Sequence, residues 1–306
     1  RCGGWGVDIP RHSAGDALPA WQADYPLKNF EDLKKLRMPR HDIDEQATRE
    51  NVARVNEVFA GLIPVTVDRG PAYRSFAGDI STALHYLRGI ENFMMDMMDN
   101  PQWLHQLCAF LRDGVLATHD QAEEVGDWSL ACHNNQAVPY AKELEDPAPN
   151  VPGVKRSQLW YFAAAQEFAG VGPDMHDAFL LQYQLPIVSK FGLVAYGCCE
   201  DLTHKIDMLR QVPNLRRIAV TPWADVKKCA EQIAGDYVIS WRPNPTDMVC
   251  ADFKPERIRT ITRDALDACS GCHVDVMLKD IQTVQHEPDR LRQWTQITKD
   301  VAADYS

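Results

Sequence analysis

No apolar run in the sequence approaches the roughly 20 residues of a membrane-spanning helix, so a helical membrane protein is not expected. Positive charge is in deficit. Against 43 Asp and Glu stand 32 Lys and Arg, a net charge of −11, which removes the electrostatic basis for binding nucleic acid or an anionic membrane. No G-x-G-x-x-G turn and no P-loop occurs, so the phosphate cradle of a doubly wound nucleotide-binding sheet is missing. The nine cysteines, odd in number and irregularly spaced, lack the pattern of a disulfide framework and fit a reducing, cytoplasmic compartment. No secretory signal stands at the start, and the chain opens on Arg1-Cys2-Gly3-Gly4 without an initiator Met. A fragment whose N-terminal part lies upstream is therefore expected.

What is present is a rhythm. Residues 1–50 carry few periodic segments and several prolines, with one short helical patch at 30–36, and are expected as an irregular layer. Within 60–306, short apolar runs at 62–67, 128–131, 158–163, 192–197, 217–220, 237–241 and 274–278 read as strands. Amphipathic or mixed stretches at 80–98, 102–124, 174–191, 202–211, 224–233, 255–268 and 288–303 read as helices. Such alternation implies an α/β fold, a parallel sheet with helices outside it. One more strand ahead of Arg1 would close a (β/α)8 barrel, making 1–306 a single domain; an open doubly wound sheet is the alternative. The proline-rich run 145–152 reads as a loop, a lid or an oligomer contact, and the methionine-rich 93–98 as helix core.

Polar residues gather after the strands. They are Asp68-Arg69-Gly70-Pro71, Cys132-His133-Asn134-Asn135-Gln136, Gln166-Glu167-Phe168, Cys198-Cys199-Glu200, Thr221-Pro222-Trp223, Trp241-Arg242-Pro243-Asn244 and Lys279-Asp280. In a barrel these ends form the catalytic mouth. Any one of them taken alone reads equally as a turn or a cap. His133 among asparagines is either a hydrogen-bonded loop residue or a ligand or general acid/base. Cys272-His273 precedes its strand and is expected to be structural, whereas Cys250 either nears the site or packs.

The most informative stretch is Gly197-Cys198-Cys199-Glu200-Asp201, between an apolar strand and an amphipathic helix. Two thiols and two carboxylates at such a turn are what a zinc ion requires. The bland alternative packs one cysteine as a small hydrophobe and makes the acids helix caps, with Asp201 at the N-cap. Strand alternation would point Cys198 and Cys199 to opposite faces, one to the mouth and one to a helix, with no disulfide between them.

Further segments add a resemblance. Phe30-Glu31-Asp32-Leu33, Tyr86-Leu87-Arg88-Gly89-Ile90-Glu91, Met98-Asp99-Asn100-Pro101-Gln102-Trp103-Leu104, the run from Gln166 to Met175 with Phe179 and Pro186, and 192–200 are similar to the uroporphyrinogen decarboxylase superfamily over most of residues 20–306. The resemblance implies a (β/α)8 barrel of that type. It also implies either the haem-pathway decarboxylase or zinc-dependent methyltransferases that pass methyl groups between a corrinoid protein, a thiol and methylated substrates. Those methyltransferases carry His-x-Cys at this strand end and a second Cys at the last one. Here the first position is Gly197, and the last strand ends Val276-Met277-Leu278-Lys279-Asp280. The decarboxylase's arginine-rich N-terminal motif would lie upstream of Arg1.

The leading expectation is a methyltransferase that demethylates a small methoxylated or methylated compound for a corrinoid carried by a partner protein. Zn2+ would be held by Cys199, Glu167 and His133. Glu200, Lys279 and Asp280 would deliver protons. Trp241, Trp160, Tyr161 and Tyr196 would give apolar walls, Asn134 a polar contact, and Arg242 a partner for an anionic group. The alternatives are a metal-free carboxy-lyase holding carboxylates with Arg242, Arg69 and Lys279, and a non-catalytic binding barrel. A homo-oligomer is compatible with all of them.

Overall fold

The computed structural model describes residues 4–13, 21–137, 139–250 and 252–305. The chain divides into two units, one of residues 1–194 with 212–214 and the other of residues 195–211 with 215–306.

In the first unit, β1 (Arg11–Ser13) pairs antiparallel with β2 (Trp21–Ala23). A 3-10 turn at Phe30–Lys35 follows, its entry fixed by Asp32, whose carboxylate accepts the Lys28 and Asn29 N–H groups. The expected irregular layer ends at α1 (Glu45–Phe59), a helix that the periodicity does not reveal. Asp44 caps it by accepting the Ala47 N–H at 2.9 Å, but none of its residues is buried, so no apolar stripe marks it. The helix expected over 80–98 is two, α2 (Ser81–Arg88) and α3 (Ile90–Asp99), parted at Gly89. That glycine has φ of +84°, and a Cβ there would lie 2.6 Å from the Tyr25 ring. On α3, Phe93 and Met97 are core, as the methionine-rich run implies, whereas Met95 and Met98 face outward. Then come α4 (Pro101–Glu124), which buries Leu104, Leu107, Leu111 and Val115 at helical spacing, and β3 (Trp160–Ala163). α5 (Pro173–His176) continues through a π-helical turn at 177–181 into α6 (Gln182–Val188).

Two expected strands are absent. Leu62 and Ile63 close the turn after α1 by donating to Phe59 O, and 64–67 join no sheet; the Asn150 amide takes the ladder's place, donating to Val65 O at 2.8 Å and accepting from Val67 N at 3.4 Å. Residues 128–131 turn into a 3-10 segment after a single antiparallel bridge, Ser129 to Pro152. Trp128 O accepts from Gly153 N and Val154 N, so this run pairs with the end of its own proline-rich loop.

β4 (Leu193–Tyr196) runs out of the first unit and into the second. After it come α7 (Ile206–Leu209), β5 (Leu215–Val220), α8 (Val226–Ile233), β6 (Val238–Trp241), α9 (Pro245–Val249), α10 (Pro255–Ala268), β7 (His273–Val276) and α11 (Asp289–Ala302). In the second unit, β5, β6 and β7 are neighbours in one sheet, in that order. β5, β6 and β7 pair in parallel, with Val220 opposite Trp241 and Trp241 opposite Val276. Parallel strands are covered on both faces, which explains why Leu193-Val194-Ala195-Tyr196 is buried at every position. Met248 and Val249 of α9, Ile258 of α10 and Ile297 of α11 form a buried cluster, each side chain contributing about 1.5–3 kcal/mol by leaving water. Mixed α/β architecture with a parallel sheet is thus as the sequence implies. No helix among the described residues is long and apolar enough to cross a membrane.

Candidate functional site

Because parallel strands end together, the segments that follow β4, β5, β6 and β7 in the second unit reach one place. The turn after β4 is sharp. Gly197 adopts φ of +100°, and a Cβ there would meet Leu202 Cδ1 at 2.6 Å and Ala219 Cβ at 2.9 Å. Histidine, which the resembled methyltransferases place here, has no room. Glu200 fixes the next step: its buried carboxylate folds back to accept the Cys198 N–H at 2.8 Å, and its carbonyl accepts from Thr221 Oγ1. Arg242 holds the other side, its Nη1 donating to Cys198 O. Asp201 caps no helix, since α7 begins at Ile206; it accepts instead from Thr203 N at 2.9 Å and Thr203 Oγ1 at 2.6 Å.

The tight turn aims both thiols the same way. Cys198 and Cys199 line one cavity of about 210 Å³, with Thr221, Pro222 and Trp223 after β5, Arg242 to Pro245 after β6, and Lys279 and Asp280 after β7. The expected opposite facing of the thiols does not occur, because strand alternation stops at Gly197. The sulfurs lie 3.5 Å apart, and no disulfide joins them. Lys279 Nζ stands 3.1 Å from each sulfur and 3.3 Å from Asp280 Oδ2, which is itself 3.5 Å from Cys199 Sγ.

The electrostatics follow from these contacts. The Cys199 thiol is pushed well above its ordinary range, first by sharing a hydrogen bond with Cys198 and then by burial, with the Lys279 ammonium opposing. Burial works against the Lys279 charge, but the two sulfurs outweigh it and hold the ammonium above its ordinary value. Burial followed by repulsion from Arg217 depresses Arg242. Arg242 is only 2% exposed, and its Nε has no hydrogen-bond partner among the described residues. Arg217 is fully engaged. Across β5, β6 and β7 its guanidinium binds both Asp275 oxygens, Nη2 at 2.6 Å, and Ser240 Oγ, also at 2.6 Å. The cavity thus offers two cations, a thiol pair and one exposed carboxylate, roofed by Trp223, which is 75% exposed.

Of the sequence-predicted residues, Cys199, Lys279, Asp280 and Arg242 meet here. Glu200 does not line the cavity and braces the loop instead. Trp241 and Tyr196 are buried in their strands and do not line it either. The aromatic at the opening is Trp223, which follows its strand in the same Thr221-Pro222-Trp223 signal. In the first unit, Glu167 is engaged by Ser81 Oγ at 2.7 Å and Thr82 Oγ1 at 3.1 Å. His133 Nδ1 accepts the Trp160 N–H at 3.1 Å, and burial lowers its pKa. Asn134 forms a local turn with Gln136 N, Trp160 and Tyr161 are core, and Arg69 already binds Asp127 and Glu45. Cys272 stands just ahead of β7, where its thiol donates to Ala230 O.

The residues expected to hold zinc are otherwise engaged: Glu167 with Ser81 and Thr82, His133 with Trp160, and Cys199 with Lys279. Among the described residues no three His, Cys, Asp or Glu side chains are grouped to hold a metal. Where a cation shared by Cys198 and Cys199 would sit, the Lys279 ammonium contacts both sulfurs. No family model matches this chain, and no curated protein matches it.

Proposed function

We propose that this chain is an enzyme of the uroporphyrinogen decarboxylase superfamily, built on its (β/α)8 barrel. In this reading it demethylates a small methoxylated anion in the second unit's cavity, for a corrinoid carried by a partner protein. The observation that carries the reading is the convergence of Lys279, the Cys198–Cys199 pair and Arg242 on one cavity. The residues divide the work. Arg242, which lines the cavity, meets the anionic group, where a charge-assisted hydrogen bond in a desolvated setting orients the ligand. Trp223, Pro222 and Pro243 offer a flat apolar surface to the body of the molecule. When the methyl carbon–oxygen bond breaks, its electron pair stays on oxygen, and that oxygen needs a proton. The Lys279 ammonium and the Cys199 thiol, both held in their protonated forms, stand ready to supply it. Asp280, 3.3 Å from Lys279, orients the ammonium.

A carboxy-lyase reading is favoured by one observation of its own: Arg242 and Lys279 both line the cavity, as a carboxylate about to leave as CO2 would require. There the carbon–carbon bond breaks, and the carbanion takes the proton from Lys279. One experiment separates the two. Trideuteriomethoxybenzoates and arylacetic acids are offered to the protein with reduced cobalamin as free acceptor. Labelled methylcobalamin with the matching phenol supports methyl transfer, and CO2 supports the lyase. Lys279→Met should abolish either product. Neither product across the panel would overturn both readings.

A further inference from the structure

We infer that Cys198 and Cys199 form a vicinal-dithiol site for a trivalent arsenical, with the cavity beside them receiving the arsenical's aryl group. The inference does not rest on methyl transfer, since it needs only the two sulfurs and the space beside them. Neighbouring cysteines rarely act together in extended chain, because their side chains alternate. Here Gly197 at φ +100° turns the backbone so that both sulfurs line the same cavity, 3.5 Å apart. That spacing is held. The Cys198 N–H is bound by Glu200 and its carbonyl by Arg242, so the backbone is anchored on both sides of Cys198.

At 3.5 Å the two sulfurs stand well beyond the S–S length of about 2.0 Å, so the pair is a dithiol. It suits a single soft atom bonded to both sulfurs. A divalent cation would meet the Lys279 ammonium, 3.1 Å from each sulfur. A trivalent arsonous acid, R–As(OH)2, arrives neutral and avoids that repulsion. The step balances without a redox change: two S–H bonds and two As–O bonds break, two As–S bonds form, and the protons leave with the hydroxyls as two waters. Lys279 lies close enough to hand a proton to each departing hydroxyl and regain it from the thiol. The opening beside Cys199, about 210 Å³ and bordered by Trp223 and Pro222, favours an aryl arsenical over arsenite itself.

The test uses phenylarsine oxide on the reduced full chain, read by native mass spectrometry. A bridged adduct should form and survive excess monothiol, but be removed by a dithiol such as 2,3-dimercaptopropanol. Cys199→Ser and Cys198→Ser should each weaken binding by about 100-fold or more, the advantage of two linked contacts over one. Cys272→Ser should bind like wild type. Cys198 is buried, so if its variant fails to fold, the half-exposed Cys199 still decides the matter. A monothiol-resistant adduct that persists in Cys199→Ser, or that disappears in Cys272→Ser, overturns the assignment.

Discussion

Lys279 Nζ lies 3.1 Å from Cys199 Sγ and is the same distance from Cys198 Sγ, so a fixed positive charge occupies the point between two thiols that a shared metal ion would take. Removing that charge should change what the site binds. Two unit charges about 4 Å apart interact by about 1 kcal/mol even at the dielectric of water, and twice that for a divalent ion. Lys279→Ala leaves Cys198, Cys199 and Asp280 without their cation, and it should bind Cd2+ or Zn2+ at least about tenfold more tightly than wild type. The cadmium–thiolate absorbance band measures this directly. Equal or tighter binding by wild type would mean that Lys279 yields to the metal, restoring the zinc-centred expectation.

Gly197 carries a stability prediction. A side chain there must adopt φ of +100° and approach Leu202 Cδ1 to 2.6 Å and Ala219 Cβ to 2.9 Å. Gly197→Ala should cost about 2–4 kcal/mol from strain and overpacking together. Urea denaturation measures the loss, and Gly197→His should be worse. A tolerated histidine would show that the turn can be rebuilt on the His-x-Cys pattern.

The same glycine marks where sequence reasoning stops. That Cys199, Lys279, Asp280 and Arg242 would follow strand ends is legible, because parallel strands deliver their following loops to one edge and apolar runs locate the strands. Side-chain direction past the strand end is not legible, because the two-residue alternation depends on extended backbone that Gly197 interrupts. The runs at 62–67 and 128–131 have strand composition but pair with Asn150 and with 151–154, choices made by loop closure rather than by hydrophobicity. Helix α1 is not legible in the sequence because burial writes the apolar stripe, and this helix buries nothing. Arg217, Ser240 and Asp275 form a network only once the register of β5, β6 and β7 is known. Arg69, Glu167 and His133 were eligible by type, but each is already engaged where it stands.

His119 predicts how the first unit responds to acid. It is fully buried on α4, its Nε2 donating to Tyr73 O at 2.9 Å, and its ring meets Trp128 edge-on. Burial brings its pKa down to about 3 from an ordinary 6.5. The unfolded chain therefore binds a proton that the folded one refuses between those values. Stability from this residue is complete above pH 6.5 and is lost as pH falls toward 3. At pH 5 the loss is about 2 kcal/mol, one pKa unit being worth about 1.4 kcal/mol. Denaturant melts at pH 8 and pH 5 should show a smaller pH difference in His119→Phe than in wild type, although the variant is less stable at pH 8 for want of the Tyr73 hydrogen bond. An unchanged pH difference would place the acid sensitivity elsewhere.

Arg242 tests whether the cavity is built for an anion. Its guanidinium is buried, its Nη1 is spent on Cys198 O, and its Nε lacks a partner among the described residues. A buried donor left unpaired costs about 1–3 kcal/mol, so an oxyanion that satisfies it recovers that cost along with the charge interaction. Trp223 at the opening should report binding by a change in fluorescence. Benzoates should bind more tightly than the matching benzamides, and the preference should weaken with salt. Arg242→Met should lose at least about tenfold in benzoate affinity, the equivalent of 1.4 kcal/mol, while leaving benzamide binding unchanged. Arg242→Lys keeps the charge but not the fork, and should fall between the two. The Cys198 carbonyl loses its donor in Arg242→Met, so benzamide binding is the control that separates lost recognition from a disturbed loop. If benzoate and benzamide weaken together, Arg242 shapes the turn and the anion is held by Lys279 alone.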